Sequence, residues 1–180
     1  MQPDRMTTPI LHPFPPVWDD RACVLILGSF PSVASRDTHF YYGHKQNRFW
    51  KLMRQFFGEP LATTDEKIAC LNRHHIALWD VIFQCEVTGS SDQSIRNVIP
   101  NPIVERLNQS RIQAIFANGA TAYRMLMRYF GKEIRIPVYS MPSTSPANAA
   151  YSLQRLAAEW QKMLWYTSDT ERKDIQTDGK

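Results

Sequence analysis

A chain of 180 residues, 43% of them hydrophobic, has the length of one domain and enough apolar content to build a core without disulfide staples. Its 21 basic residues against 17 acidic ones leave a net charge of +4, a mild excess that suits a nucleic-acid partner but is shared by many enzymes. Cys23, Cys70 and Cys85 form no C-x-x-C pair and the longest apolar run, Val24 to Leu27, is far too short to span a bilayer, so metal-finger and membrane classes are set aside.

The first twenty residues carry Pro3, Pro9, Pro13, Pro15 and Pro16 and read as an extended arm, because proline removes backbone donors and disfavours helix at the preceding residue. The arm's apolar residues between His12 and Val17 are expected to pack on the domain. Cys23 to Leu27 is a continuous apolar run ending in Gly28, the pattern of a strand buried on both faces of a parallel sheet. Phe49 to Phe57 places Phe49, Trp50, Leu52, Met53, Phe56 and Phe57 at helical spacing, with Gly58 as the stop. A helix follows over 66–72, then a second buried strand over 76–83. The spacing next predicts a helix over 103–107 and a third strand over 112–117, ending at Asn118-Gly119. A helix over 121–130 is closed by Gly131, a fourth strand covers 136–140, and a terminal helix covers 149–165. From about Thr167 the chain is polar and reads as a disordered tail.

Strands alternating with helices predict a three-layer α/β/α fold with a central, mostly parallel four-stranded sheet. The domain is expected over 21–166, between the arm (1–20) and the tail (167–180). In such sheets ligands sit beyond the carboxyl ends of the strands. The loops after strands one, two and four are therefore the places to look. They hold Gly28-Ser29-Phe30-Pro31-Ser32 running on to Asn47, Leu78-Trp79-Asp80, and Met141 to Asn148. Aromatic faces, a few hydrogen-bonding groups and a Ser/Pro turn at strand ends suit a flipped nucleobase and its flanking phosphates.

Here the chain resembles a known family. Gly28-Ser29-Phe30-Pro31 is similar to the first motif of the uracil-DNA glycosylase superfamily, G-x-[D/N/E]-P-[Y/G], and Ser143 to Asn148 is similar to its Ser/Pro-rich second motif. The hypoxanthine branch matches best. Its patterns L-I-L-G-S-[FM]-P-[SG], Y-Y-x-x-x-x-N-x-F-W, A-L-W-D-V and P-S-T-S-P-A-N-A resemble the segments beginning at Leu25, Tyr41, Ala77 and Pro142. Gly89-Ser90-Ser91-Asp92 followed by Ile95 resembles that branch's G-S-x-D-x-x-I. The resemblance runs from about Phe14 to Ala149. It implies hydrolysis of an N-glycosidic bond in DNA, with hypoxanthine (deaminated adenine) as the foremost base. Rival readings are a mismatch-specific uracil or thymine glycosylase, which shares the segment around Asn47, and a non-catalytic DNA-lesion-binding domain. One departure stands out: Phe30 occupies the position where many members carry the acid or amide that handles the attacking water.

The candidate residues each have a plainer alternative. Asn47 can be a helix cap, and it is also the candidate catalytic group, since a carboxamide both accepts from and donates to a water. Ser29 is the second catalytic candidate; the G-x-S-x-G elbow of a serine hydrolase is absent. Phe30 can stack on a base or fill the core, and Tyr42 can line a pocket or merely pack. Asp80, in an apolar setting, either ends a strand or accepts a base N–H. Asn118 ends the third strand and is a further base-binding candidate. Ser143, Ser145 and Asn148 shape a turn or contact phosphates, as does Arg48, for which a solvated surface charge is the commoner fate. The expected partner is DNA with a flipped damaged base. No metal, organic cofactor or membrane is expected, since no Gly-rich G-x-G-x-x-G or Walker loop occurs. The N-terminus has no basic segment followed by a long apolar run. A cytoplasmic monomer is expected, the unpaired thiols fitting a reducing compartment.

Overall fold

The computed structural model describes residues 8–89 and 91–168. Its centre is a four-stranded, all-parallel sheet built from β2 (Val24–Gly28), β3 (Ile76–Asp80), β6 (Ala114–Asn118) and β7 (Val138–Met141), in the order β3-β2-β6-β7. Three of the runs carry apolar residues on both faces, and Val24 to Leu27, Ile76 to Leu78 and Ala114 to Ala117 are wholly buried. Each fully buried Leu or Ile there contributes about 1.5–3 kcal/mol relative to exposure. The expected α/β architecture is therefore the observed one, with helices flanking the sheet.

The helices are α1 (Val33–Thr38), α2 (Phe49–Phe57), α3 (Thr64–Arg73), α4 (Ile103–Asn108), α5 (Ala120–Phe130) and α6 (Leu153–Trp160). Their ends obey local chemistry. Thr63 and Glu66 close a capping box at the start of α3, and Gly58 ends α2 in the left-handed conformation that glycine adopts without steric cost. α3 packs on β3, α5 on β6 and β7, and α2 against α6. The terminal helix begins at Leu153, later than the expected 149, because Ser152 caps it through the Arg155 N–H. α1 was not foreseen: six residues with one buried side chain leave too little periodicity to read.

The second predicted strand needs correction. It ends at Asp80, and after Val81 the chain enters a second, antiparallel sheet of β1 (Ile10–Leu11), β4 (Ile82–Glu86) and β5 (Arg96–Pro100), in the order β1-β4-β5. The bend is held by two backbone bonds, Val81 N–H to the Gly28 carbonyl (2.9 Å) and Ile82 N–H to the Ser29 carbonyl (3.1 Å). An unbroken apolar run hides such a turn. The described part of the Pro-rich arm is extended, as expected. It also supplies β1, buries Phe14 and Val17, and bridges Val17 to Leu78. Residues 169–180, most of the expected tail, lie outside the described residues.

Along the sheet the chain moves from β2 out to β3, then returns past β2 to β6. The switch point between β2 and β6 is where such folds open a crevice beyond the strand ends.

Candidate active site

A cavity of about 480 Å³ opens at that switch point, within the range of small-ligand sites. Its wall comes from four strand ends and the segment after α1. The contributing residues include Ser29 and Phe30 after β2, Asp80 ending β3, Asn118 ending β6, and Ser143 with Ser145 after β7. Tyr42 and Asn47 complete it. Of the ten residues singled out in the sequence, eight line this one space, and Arg48 and Asn148 stand outside it.

Two glycines let the walls approach. A Cβ on Gly28 would overlap Asp80 Oδ1 and come within 3.2 Å of the Tyr42 hydroxyl. Gly119 has φ of +99°, and a Cβ there would meet Ser143 Cβ at 3.1 Å. Only glycine serves at these positions without displacing a cavity residue.

Asp80 is only 4% exposed. The sequence offers it as a free acceptor for a base N–H, but its Oδ2 is engaged by His12 Nε2 at 2.7 Å. The other ring nitrogen, Nδ1, lies 2.8 Å from the Phe14 carbonyl. A carbonyl only accepts, so Nδ1 carries a hydrogen, and the His12–Asp80 contact holds a second one between its two atoms. Asp80's remaining oxygen is the one packed against Gly28. His12 was missed in the sequence because 68 residues separate it from its partner. The histidine is itself fixed by edge contacts with Phe14 and Phe30.

Tyr42 adopts φ of +54°, an uncommon conformation for a bulky residue that points to a local constraint. Its ring stacks on Phe49 at 4.2 Å, and its buried hydroxyl has no hydrogen-bond partner among the described residues. Asn118 lies beside that hydroxyl without reaching hydrogen-bond geometry. Burial, and then the Asp80 charge, push the phenol well above its ordinary value, so Tyr42 stays a neutral donor.

Asn118 is turned toward Thr144. Its Nδ2 donates to Thr144 Oγ1 and its Oδ1 accepts the Thr144 N–H, both at 3.0 Å. It thus fastens the loop after β7 to the end of β6, and both polar groups expected for a base are already engaged. Ser143 Oγ accepts the Ser145 N–H (3.1 Å) and Ser145 Oγ accepts the Ala147 N–H (3.2 Å). Each hydroxyl hydrogen is left to donate. Asn148 Nδ2 closes the turn on the Ser143 carbonyl (3.0 Å).

Arg48, offered by the sequence as a phosphate contact, is turned inward. Its guanidinium donates to the carbonyls of Thr144, Ser145, Asn148 and Tyr151, so it clamps the Ser/Pro loop from behind. Asn47, one residue before the N-cap Arg48, satisfies the first N–H of α2: its Oδ1 accepts from Phe49 at 3.0 Å. The cap and cavity-lining alternatives therefore coexist, and Nδ2 makes no hydrogen bond among the described residues. Phe30 presents its ring to the cavity with the Arg36 guanidinium 5.8 Å from its centroid. Ser29 Oγ donates to Asp92 Oδ1 at 3.1 Å, a second carboxylate on the cavity wall.

The one cluster of metal-ligating atoms among the described residues, Glu59, Cys70 and His74, lies elsewhere. Arg73 and His74 already bond its carboxylate at 2.7 and 2.6 Å, and burial pushes the Cys70 thiol up to about 12, which disfavours a thiolate ligand. Among the described residues, no helix is long and apolar enough to cross a membrane.

The chain is similar to known proteins over most of its length. The family model described as "Uracil DNA glycosylase superfamily" matches residues 15–166. A protein of Methanosarcina acetivorans described as a hypoxanthine DNA glycosylase is 33% identical over 156 residues, covering 84% of this chain and 96% of that one. A protein of Methanosarcina barkeri with the same description is 33% identical over 159 residues, covering 82% and 93%. A solution NMR structure from Methanosarcina acetivorans, described as a candidate uracil DNA glycosylase, superposes with a TM-score of 0.71 at 31% identity, covering 86% of this chain and 96% of its own.

Proposed function

This chain belongs to the uracil DNA glycosylase superfamily, and from that premise we propose that it is a monofunctional DNA glycosylase that hydrolyses the N-glycosidic bond of deaminated bases, hypoxanthine foremost. The observation that carries the reading is the convergence of Phe30, Asn47, Ser143 and Ser145 on one cavity at the sheet's switch point. A flipped nucleotide needs those parts together: a ring face for the base, a polar group for water and donors for the flanking phosphates. The descriptions of the two Methanosarcina relatives support hypoxanthine as the base.

In the proposed reaction a water adds to C1′ of the sugar while the base departs with the bonding electrons. Asn47 is the water-orienting group, using Nδ2 and the lone pair that the cap leaves on Oδ1. Phe30 stacks on the base, an interaction of about 1–3 kcal/mol. The two serine hydroxyls donate to phosphate oxygens on either side. No lysine lines the cavity among the described residues, so no Schiff base forms and the strand is left intact at the abasic site.

The test is single-turnover excision from oligonucleotide duplexes carrying inosine, uracil or no lesion, followed by alkaline cleavage. Cleavage of the inosine strand at a rate well above the uracil strand is expected. Preferential cleavage of uracil would assign the chain to mismatch repair of pyrimidines. Tight binding with no cleavage of any strand would make it a lesion-binding domain.

A further inference from the structure

Two carboxylates face the cavity, and they differ in what holds them. Asp80 has His12 on one oxygen and Gly28 against the other. Asp92 sits at the opening of the short 3₁₀ turn Asp92–Ser94 and is solvent-exposed as a residue, while its carboxylate lines the cavity. Ser29 Oγ donates to Oδ1 at 3.1 Å. Ser29 belongs to the loop after β2, directly before the Phe30 that stands where a water-handling acid or amide is otherwise found. The hydrogen bond thus brings a carboxylate from a distant segment to the position that the local sequence leaves apolar.

We infer that Asp92 is a catalytic residue of this site, the general base for the water that displaces the base, held in place by Ser29. The inference rests on the glycosylase reading. As the C1′–O bond forms, one water proton passes to Asp92. The C1′–N bond breaks with its electron pair going to the base, and the proton then neutralises the departing base. The products are a free base and an intact strand with an abasic sugar. Such a base contributes about 10²–10⁴-fold.

The electrostatics agree. Desolvation raises the Asp92 pKa above the ordinary aspartate value, and the hydrogen bonds from Ser29 and Thr121 only partly offset this. Of the charged groups facing it, Asp80 raises the pKa and Arg124 on α5 lowers it. A carboxylate made more basic than usual is better matched to accepting a proton.

The test uses the full chain and its Asp92→Asn variant. Asn can still accept from Ser29, so a purely structural role survives the change while the charge does not. On an inosine duplex the variant should be at least a hundredfold slower under single turnover, with DNA affinity within threefold of wild type. The wild-type rate should fall at low pH as Asp92 protonates, and that limb should vanish in the variant. Excision by Asp92→Asn at the wild-type rate would overturn the inference while leaving the glycosylase reading intact. A second readout does not need excision. Wild-type protein should bind a duplex with a cationic pyrrolidine in place of the sugar at least tenfold more tightly than one with a neutral tetrahydrofuran, and Asp92→Asn should lose that preference. No such preference, or one unchanged in the variant, overturns the inference even if no substrate is cleaved.

Discussion

The cavity has a closed corner and an open rim, and each holds one aspartate. At the corner, the His12 and Asp80 side chains are 3% and 5% exposed and joined at 2.7 Å, so each holds the other before a ligand arrives. At the rim, Asp92 has a hydroxyl on one oxygen and solvent nearby. Chemically identical groups therefore have different work. A buried, paired carboxylate fixes the shape of a pocket, whereas a partly desolvated one at the rim can exchange protons with a reactant. The same division separates Asn118 and Arg48, locked onto the loop after β7, from Asn47, Ser143 and Ser145, which keep a hydrogen-bonding group to offer.

The closed corner carries the largest expected effect. His12→Ala leaves the Asp80 carboxylate buried without its partner, which should cost about 3–5 kcal/mol. Denaturant melts measure it, and adding Asp80→Asn should recover part of the loss because the orphaned charge is gone. A neutral His12→Ala would mean that Asp80 is held by something other than the arm. Asn47→Ala works on the open side. It should slow hypoxanthine excision by about a hundredfold, the scale of losing one positioned catalytic group. Stability should drop only by the roughly 0.5–2 kcal/mol of a lost cap, and DNA binding should persist. An unchanged single-turnover rate in the folded variant would reduce Asn47 to its cap. Arg48→Ala removes the guanidinium donors from four loop carbonyls, although those of Thr144, Ser145 and Asn148 each keep a backbone N–H. We expect a loss of about 1–3 kcal/mol and weaker DNA binding through a loosened loop, with a salt slope like that of wild type. A shallower slope would restore Arg48 as a phosphate contact. The smallest effect per residue belongs to the surface charge. Duplex affinity should fall steadily as salt rises, and an affinity flat across a salt titration would remove DNA as the partner.

The sequence disclosed the parallel sheet because strands buried on both faces read as unbroken apolar runs, as at Val24 to Leu27 and Ala114 to Ala117. It located the cavity because the loops sit at the carboxyl ends of those runs. It hid the turn at Val81, where the apolar run continues although backbone bonds to Gly28 and Ser29 redirect the chain. β1 and β5 were invisible for a different reason: β1 has two residues and none of β5's five is buried, so neither carries a readable apolar run. Partnerships across the fold were the hardest to read. His12 meets Asp80 only because the arm folds over the end of β3, and Arg48 turns inward because the loop after β7 offers it four carbonyls. Asp92 gains its meaning from Ser29, a residue 63 positions away.

Wild-type protein is incubated in excess with a duplex containing a single inosine, and the products are weighed by mass spectrometry without alkali. Free hypoxanthine together with an intact strand bearing an abasic site is the predicted result. An unaltered inosine strand, or a strand nicked at the lesion before any alkali is added, would contradict it.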